Sequence, residues 1–166
     1  MHFLRTSIAL SASIVLASAA RLQYQSQNTA FSNAGTQGCI AASSKSAGAS
    51  VVIHGCNTGD ASNYIWEYDT SIRVPDNRQI KLSGTDLCVD VKDGINADGT
   101  KLQLWTCTEG NSNQDWAQRG GNLWQWVGTT KCIDLTNGVT SDGNPIQVWN
   151  CDDGNLNNQG WRLQGV

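Results

Sequence analysis

Asp90 and Trp105 stand fifteen residues apart, and Asp134 and Trp149 repeat that spacing. Each tryptophan is preceded two positions earlier by a glutamine, Gln103 or Gln147. An indole offers a broad, rigid, apolar plane. A carboxylate accepts charge-assisted hydrogen bonds worth about 1.5–3 kcal/mol each, more than a neutral acceptor gives. A pyranose has one face of C–H groups and an edge of hydroxyls, so it requires both partners at once. Paired carboxylates could also do hydrolytic work, but a glycosidase sets its two roughly 5–10 Å apart across one bond. Asp90 and Asp134 instead occupy equivalent places in different repeats, which directs them at different regions of surface. There is no G-x-S-x-G motif, and no histidine is placed to activate a serine. The residues therefore point to binding rather than catalysis: not an enzyme, with no cofactor.

The elements that must hold these residues are three internal repeats. A glycine stands four residues before the first cysteine of each (Gly35, Gly84, Gly128), and an apolar residue eight before it (Phe31, Ile80, Trp124). The second cysteine follows after 17, 19 and 19 residues, and a tryptophan after nine or ten more: Trp66, Trp116, Trp161. The last two repeats align without a gap, "CVDVKDGINADGTKLQLWTC" on "CIDLTNGVTSDGNPIQVWNC", with eight of twenty positions identical. Their "DG" pairs at 98–99 and 142–143 read as turns, in which glycine takes a positive φ at little cost. A turn accounts for Asp98 and Asp142 completely. The flanking "LCVDV" and "LQLW" alternate with the period of a strand that buries one face. No segment beyond residue 21 keeps a helical period. The expectation is an all-β domain of three similar lobes, none able to bury its apolar face alone, closed together to protect the sheet edges.

Residues 1–20 have a basic start at Arg5, an apolar run through Leu16 and small residues at the break, and so read as a secretory signal peptide. The run is too short and too rich in serine and alanine for a membrane span. The domain is then 21–166, with repeats at about 31–68, 78–118 and 122–166, and the expected location is extracellular. The chain carries 11 Lys plus Arg against 14 Asp plus Glu, and losing Arg5 leaves 10 against 14, a formal charge of −4. That balance disfavours nucleic acid, which needs a concentrated basic surface. Six cysteines in an oxidising compartment favour disulfides over metal. There is no C-x-x-C, and His54 is the single histidine beyond the signal, so no metal site is expected. Six cysteines permit fifteen pairings. If the repeats fold alike, the symmetric set is Cys39 with Cys56, Cys88 with Cys107 and Cys132 with Cys151, each bridge worth roughly 3 kcal/mol at most.

Near the end of the second and third repeats come "NQDW" (Asn113, Gln114, Trp116) and "NQGW" (Asn158, Gln159, Trp161). Together with the cysteine spacing, the aspartates and the upstream tryptophans, this combination resembles the ricin B-chain-like (R-type) lectins, β-trefoils with a Q-x-W signature in each repeat. The match runs from about Phe31 to Leu163. The resemblance implies a β-trefoil that binds glycans or glycoproteins ending in galactose or N-acetylgalactosamine. By position it implies two sites: Asp90, Trp105 and Asn113 in the second repeat, and Asp134, Trp149 and Asn158 in the third. Gln103, Gln114, Gln147 and Gln159 would support these sites from behind. The second repeat is one residue shorter between its second cysteine and its Q-x-W, which leaves Asn113 less firmly placed than Asn158.

The first repeat departs at each decisive position. Ala41 replaces the aspartate, Val52 the strand glutamine, His54 the stacking tryptophan and Tyr64 the glutamine of Q-x-W. It keeps Cys39, Gly48, Cys56 and Trp66, and so reads as scaffold without a competent site. Aspartate and tryptophan are lost together there, which argues that Trp105 and Trp149 are exposed and functional. The alternative is that they are half-buried strand residues and that Asp90 and Asp134 serve turns. Trp66, Trp116 and Trp161, present in all three repeats, read as core. Of Trp124 and Trp126, one is expected in the core and the other has no assigned role. Two further functions share the fold: a protein-binding or inhibitor module, and a polysaccharide-targeting module of an enzyme. The repeats nearly fill the chain to Val166, which favours a stand-alone lectin over the latter. Oligomeric state is left open.

Overall fold

Successive side chains of a strand point to opposite faces, and three hairpins of five-residue strands turn one face toward a shared centre. The computed structural model describes residues 18–24, 38–56, 58–68, 79–154 and 156–165. The first lobe comprises β1 (Ser18–Tyr24), β2 (Gly38–Ala42), β3 (Val51–Gly55) and β4 (Trp66–Tyr68). The second comprises β5 (Lys81–Leu82), β6 (Leu87–Val91), β7 (Leu102–Thr106) and β8 (Trp116–Arg119). The third comprises β9 (Leu123–Trp126), β10 (Lys131–Leu135), β11 (Ile146–Asn150), a single helical turn α1 (Leu156–Gln159) and β12 (Trp161–Gly165). Within each lobe the second and third strands form an antiparallel hairpin in matching register. Ala41 faces Val52, Asp90 faces Gln103 and Asp134 faces Gln147. Lobes join through the ladders β4 with β5, β8 with β9, and β12 with β1. This is the β-trefoil expected from the repeats, with one disulfide in each lobe: Cys39–Cys56, Cys88–Cys107 and Cys132–Cys151.

One core serves all three lobes. Ile40 and Ile53, Val89 and Leu104, and Ile133 and Val148 meet there with Trp66, Trp116 and Trp161. A buried indole needs a partner for its N–H. Each of the three tryptophans donates to the carbonyl one residue after its lobe's first cysteine: Trp66 to Ile40 at 2.9 Å, Trp116 to Val89 and Trp161 to Ile133 at 3.1 Å. This repeated bond explains why these tryptophans persist where the rest of the first lobe diverges.

Two expectations change. Trp124 and Trp126 are both core, at 0% and 5% exposure, because residues two apart on a strand share a face. Trp124 donates to the Trp161 carbonyl and Trp126 to that of Ser112. The start of the first lobe also differs. Lys81 pairs with Cys88 and Gln125 with Cys132, seven positions upstream in each case, but Cys39 is paired by Gln23. The first strand therefore comes from farther upstream, and Phe31 and Gly35 lie outside the described residues. β1 begins at Ser18, so it spans the expected cleavage point after Ala19 or Ala20. Among the described residues no helix is long and apolar enough to cross a membrane.

The lobes also interlock through their hairpin turns. Gly48 of the first lobe donates to Leu104 of the second, Gly99 of the second to Val148 of the third, and Gly143 of the third to Ile53 of the first. All three glycines have φ between 82° and 88°, a conformation costly for any residue with a β-carbon. Each turn thus rests on the site strand of the next lobe, and the ring closes.

Candidate functional site

In the second and third lobes the outer face of the hairpin carries the cysteine, the aspartate, the strand glutamine and the tryptophan, while the inner face carries valine, isoleucine and leucine. Both faces of β6 and β10 are buried, although the alternation predicts one. The outer face is covered by the side chains that follow the second cysteine. In the third lobe the Gln159 amide donates to Asp134 Oδ2 at 3.1 Å and to the Asn150 carbonyl at 2.9 Å, and its oxygen accepts from the Asp152 N–H. Gln147 donates to Asp134 Oδ1 at 2.9 Å. The second lobe repeats this arrangement. Gln103 donates to Asp90 Oδ1 at 3.0 Å and Gln114 to Oδ2 at 3.2 Å. Gln114 also holds the Thr106 carbonyl and the Thr108 N–H.

Each aspartate is thereby clamped between two glutamine amides, and Asp90 also takes a hydrogen bond from the Asn111 side chain. Asp90 and Asp134 are only 3% and 4% exposed, while Trp105 and Trp149 are 47% and 45% exposed. An isolated carboxylate at such depth would be costly, and the four glutamine bonds offset that cost. Burial still raises both aspartate pKa values above the ordinary carboxylate range, against the lowering effect of the glutamines. In the third lobe Asp134, Gln147, Trp149, Asn158 and Gln159, with Asn137, line an open cleft of about 410 Å³.

Asn113 and Asn158 occupy corresponding places despite the length difference. A β-carbon on Gly94 would lie 2.8 Å from Asn113 Oδ1, and one on Gly138 at the same distance from Asn158 Oδ1. The second lobe reaches its glutamine through a 3-10 turn at Ser112–Gln114, and the third through α1. That difference absorbs the extra residue. Before Gly94 and Gly138 stand Asp93 and Asn137, with φ of 57° and 54°, a region that short polar side chains tolerate better than others. These "DG" and "NG" pairs have no role in the sequence reading, although their matched position three residues after each aspartate is a visible signal.

Asp98 and Asp142 do more than make turns, which corrects the sequence reading. Asp98 accepts from the Asn150 N–H at 2.8 Å and pairs with Lys131. Asp142 pairs with His54 of the first lobe. In the first lobe the place of the polar clamp is taken by Ala41, Val52 and Tyr64, which pack with Cys39 and Cys56 as a small apolar cluster.

The family profile described as the ricin-type β-trefoil lectin domain matches residues 76–165, more than half of the chain. The chain belongs to this family. The matched span covers the two lobes that carry the aspartate clamp, and the first lobe of this lectin domain lies outside it. Solved structures show the same fold over the length of the lectin domain. A designed three-fold symmetric protein, ThreeFoil, is 21% identical with a TM-score of 0.68, covering 89% of this chain and 99% of that one. A ricin B-like lectin of Macrolepiota procera, solved with lactose, is 16% identical with a TM-score of 0.66, covering 93% and 100%. The C-terminal half of an earthworm R-type lectin, solved with GalNAc, is 15% identical with a TM-score of 0.63, covering 90% and 99%. At these identities the likeness is one of fold.

Proposed function

We propose that this protein is an exported, non-catalytic lectin that binds glycans ending in galactose or N-acetylgalactosamine through two sites, one in the second lobe and one in the third. The observation that carries the reading is the clamp: a carboxylate held by two glutamines, on the same hairpin face as a half-exposed indole, occurs in both lobes, and its members are replaced together in the first. Asp90 and Asp134 would accept hydrogen bonds from adjacent sugar hydroxyls, and Trp105 and Trp149 would cover the apolar sugar face. Asn113 and Asn158 would add a polar contact at the rim. Gln103, Gln114, Gln147 and Gln159 would fix the acceptor in position. The relatives solved with lactose and GalNAc support the choice of sugar, and three disulfides suit an oxidising compartment.

A shallow site of this kind binds a monosaccharide at about millimolar strength, near −4 kcal/mol. Two sites on one rigid body can gain roughly 10²- to 10⁴-fold in avidity on a dense glycan surface. Calorimetric titration with lactose and with GalNAc, beside a chain carrying Asp90→Ala and Asp134→Ala, tests the proposal. Saturable binding by the parent and its loss in the folded double variant support it. No binding by the folded parent to any member of a glycan panel would leave the protein-binding reading in its place.

A further inference from the structure

The two clamps differ in what stands behind them. At equivalent positions, single bridges join Ser50 to Gln103, Lys101 to Gln147 and Pro145 to Val52. Each preceding lobe therefore sets one residue against the strand glutamine, or its replacement, in the next. Proline faces valine in the first lobe, where no clamp exists. In the third lobe the facing residue is a lysine. Lys101 donates from Nζ to Gln147 Oε1 at 2.7 Å and to Thr136 Oγ1 at 2.8 Å. The Gln147 amide nitrogen then donates to Asp134. An ammonium has only donors, so it can bond the amide oxygen and not the amide nitrogen. The ionised carboxylate accepts only and so already takes the amide nitrogen; Lys101 fixes the other end of Gln147 and ties it to Thr136. Ser50, in the equivalent place beside Gln103, supplies no charged donor.

The rest of the same turn braces the same site. Asp98 holds the N–H of Asn150, next to Trp149. A β-carbon on Gly99 would lie 3.9 Å from both the Trp149 ring and Gln147 Oε1. We infer that Lys101, contributed by the second lobe, is a positioning residue for the third-lobe site, and that the second-lobe site, with Ser50 in its place, is the weaker of the two. This rests on the proposed lectin function. It extends that function by making the sites unequal and by assigning the inequality to one side chain in a neighbouring lobe.

Besides Lys101, Asp98 acts on Asp134 and is itself paired with Lys131, and Asp152 lines the same cleft. Lys101 favours the ionised form of Asp134, and Asp98 opposes it. The experiment uses the full chain with Asp90→Ala, which leaves the third-lobe site alone, titrated with methyl galactoside by tryptophan fluorescence between pH 4 and pH 8. Adding Lys101→Met should weaken binding about tenfold and move the acid loss of binding to higher pH. Lys101→Arg, which keeps a charged donor, should restore most of both. In a chain with Asp134→Ala, Lys101→Met should leave second-lobe binding unchanged. Equal affinity and an unshifted pH profile on removal of Lys101 would overturn the inference and leave the lectin reading intact. Absence of binding by the folded Asp90→Ala chain would remove the third-lobe site and the inference with it.

Discussion

The first lobe and the third share a backbone and differ in what their outer hairpin faces bury. Where the third places Asp134, Gln147 and Gln159, the first places Ala41, Val52 and Tyr64. Both solutions satisfy the buried face, one by hydrogen bonds and the other by apolar contact. A mixture of the two would not, because a buried amide without its acceptor is costly. The comparison teaches that the clamp is a unit, replaced as a whole or kept as a whole. It also shows which residues the fold requires regardless of site: the cysteines, the turn glycine and the core tryptophan that bonds back to its own hairpin.

The sharpest way to break this contrast is to convert the third lobe into the first. Asp134→Ala alone strands the two glutamine amides and should lower stability by about 1–3 kcal/mol. Adding Gln147→Val and Gln159→Tyr should recover much of that loss, a non-additivity visible in chemical denaturation. Both variants should abolish third-lobe sugar binding in a chain with Asp90→Ala. If the triple variant proves less stable than the single, the unit interpretation is wrong.

A second test separates the indole from the carboxylate. Trp149→Ala in the same background should weaken sugar binding about tenfold or more with little change in melting temperature, because a half-exposed ring adds little to the core. The same change at Trp161 should destabilise the whole domain by roughly 3–5 kcal/mol. Smaller in effect, Gly138→Ala places a β-carbon against Asn158 at a positive φ. It should reduce affinity a few-fold by pushing that asparagine from the rim, and the corresponding change at Gly94 should act on the second lobe alone.

Acidification gives the mildest test. Burial holds the Asp90 and Asp134 pKa values above that of a free aspartate, so sugar binding should decline at a higher pH than an ordinary carboxylate would predict. Stability runs the other way. A folded-state pKa raised above the unfolded one contributes stability that is complete below the unfolded value and is lost as pH rises through the folded value. The contribution of Asp90 and Asp134 to unfolding, read as the difference between the parent and the Asp90→Ala, Asp134→Ala chain, should therefore slope opposite to sugar binding. Sugar binding that does not decline as the carboxylates protonate would mean that they are not the acceptors.

Much of this was legible in the residues. Three copies of one spacing pattern determined a threefold all-β domain, since a short hairpin cannot bury its own face and must recruit its neighbours. Similar cysteine intervals of 17, 19 and 19 residues pointed to the symmetric disulfide set, which the structure contains, and the joint loss of aspartate, glutamine and tryptophan marked the first lobe as different. The tertiary structure decided what lies between lobes. It turned Asp98 and Asp142 from turn residues into ties across lobe boundaries, placed both Trp124 and Trp126 in the core, and set Lys101 behind Gln147. Lys101 and Gln147 lie 46 residues apart, and no local period encodes such a contact. It exists because ring closure lays each turn on the next lobe's site strand, so its chemistry depends on which residue that register delivers.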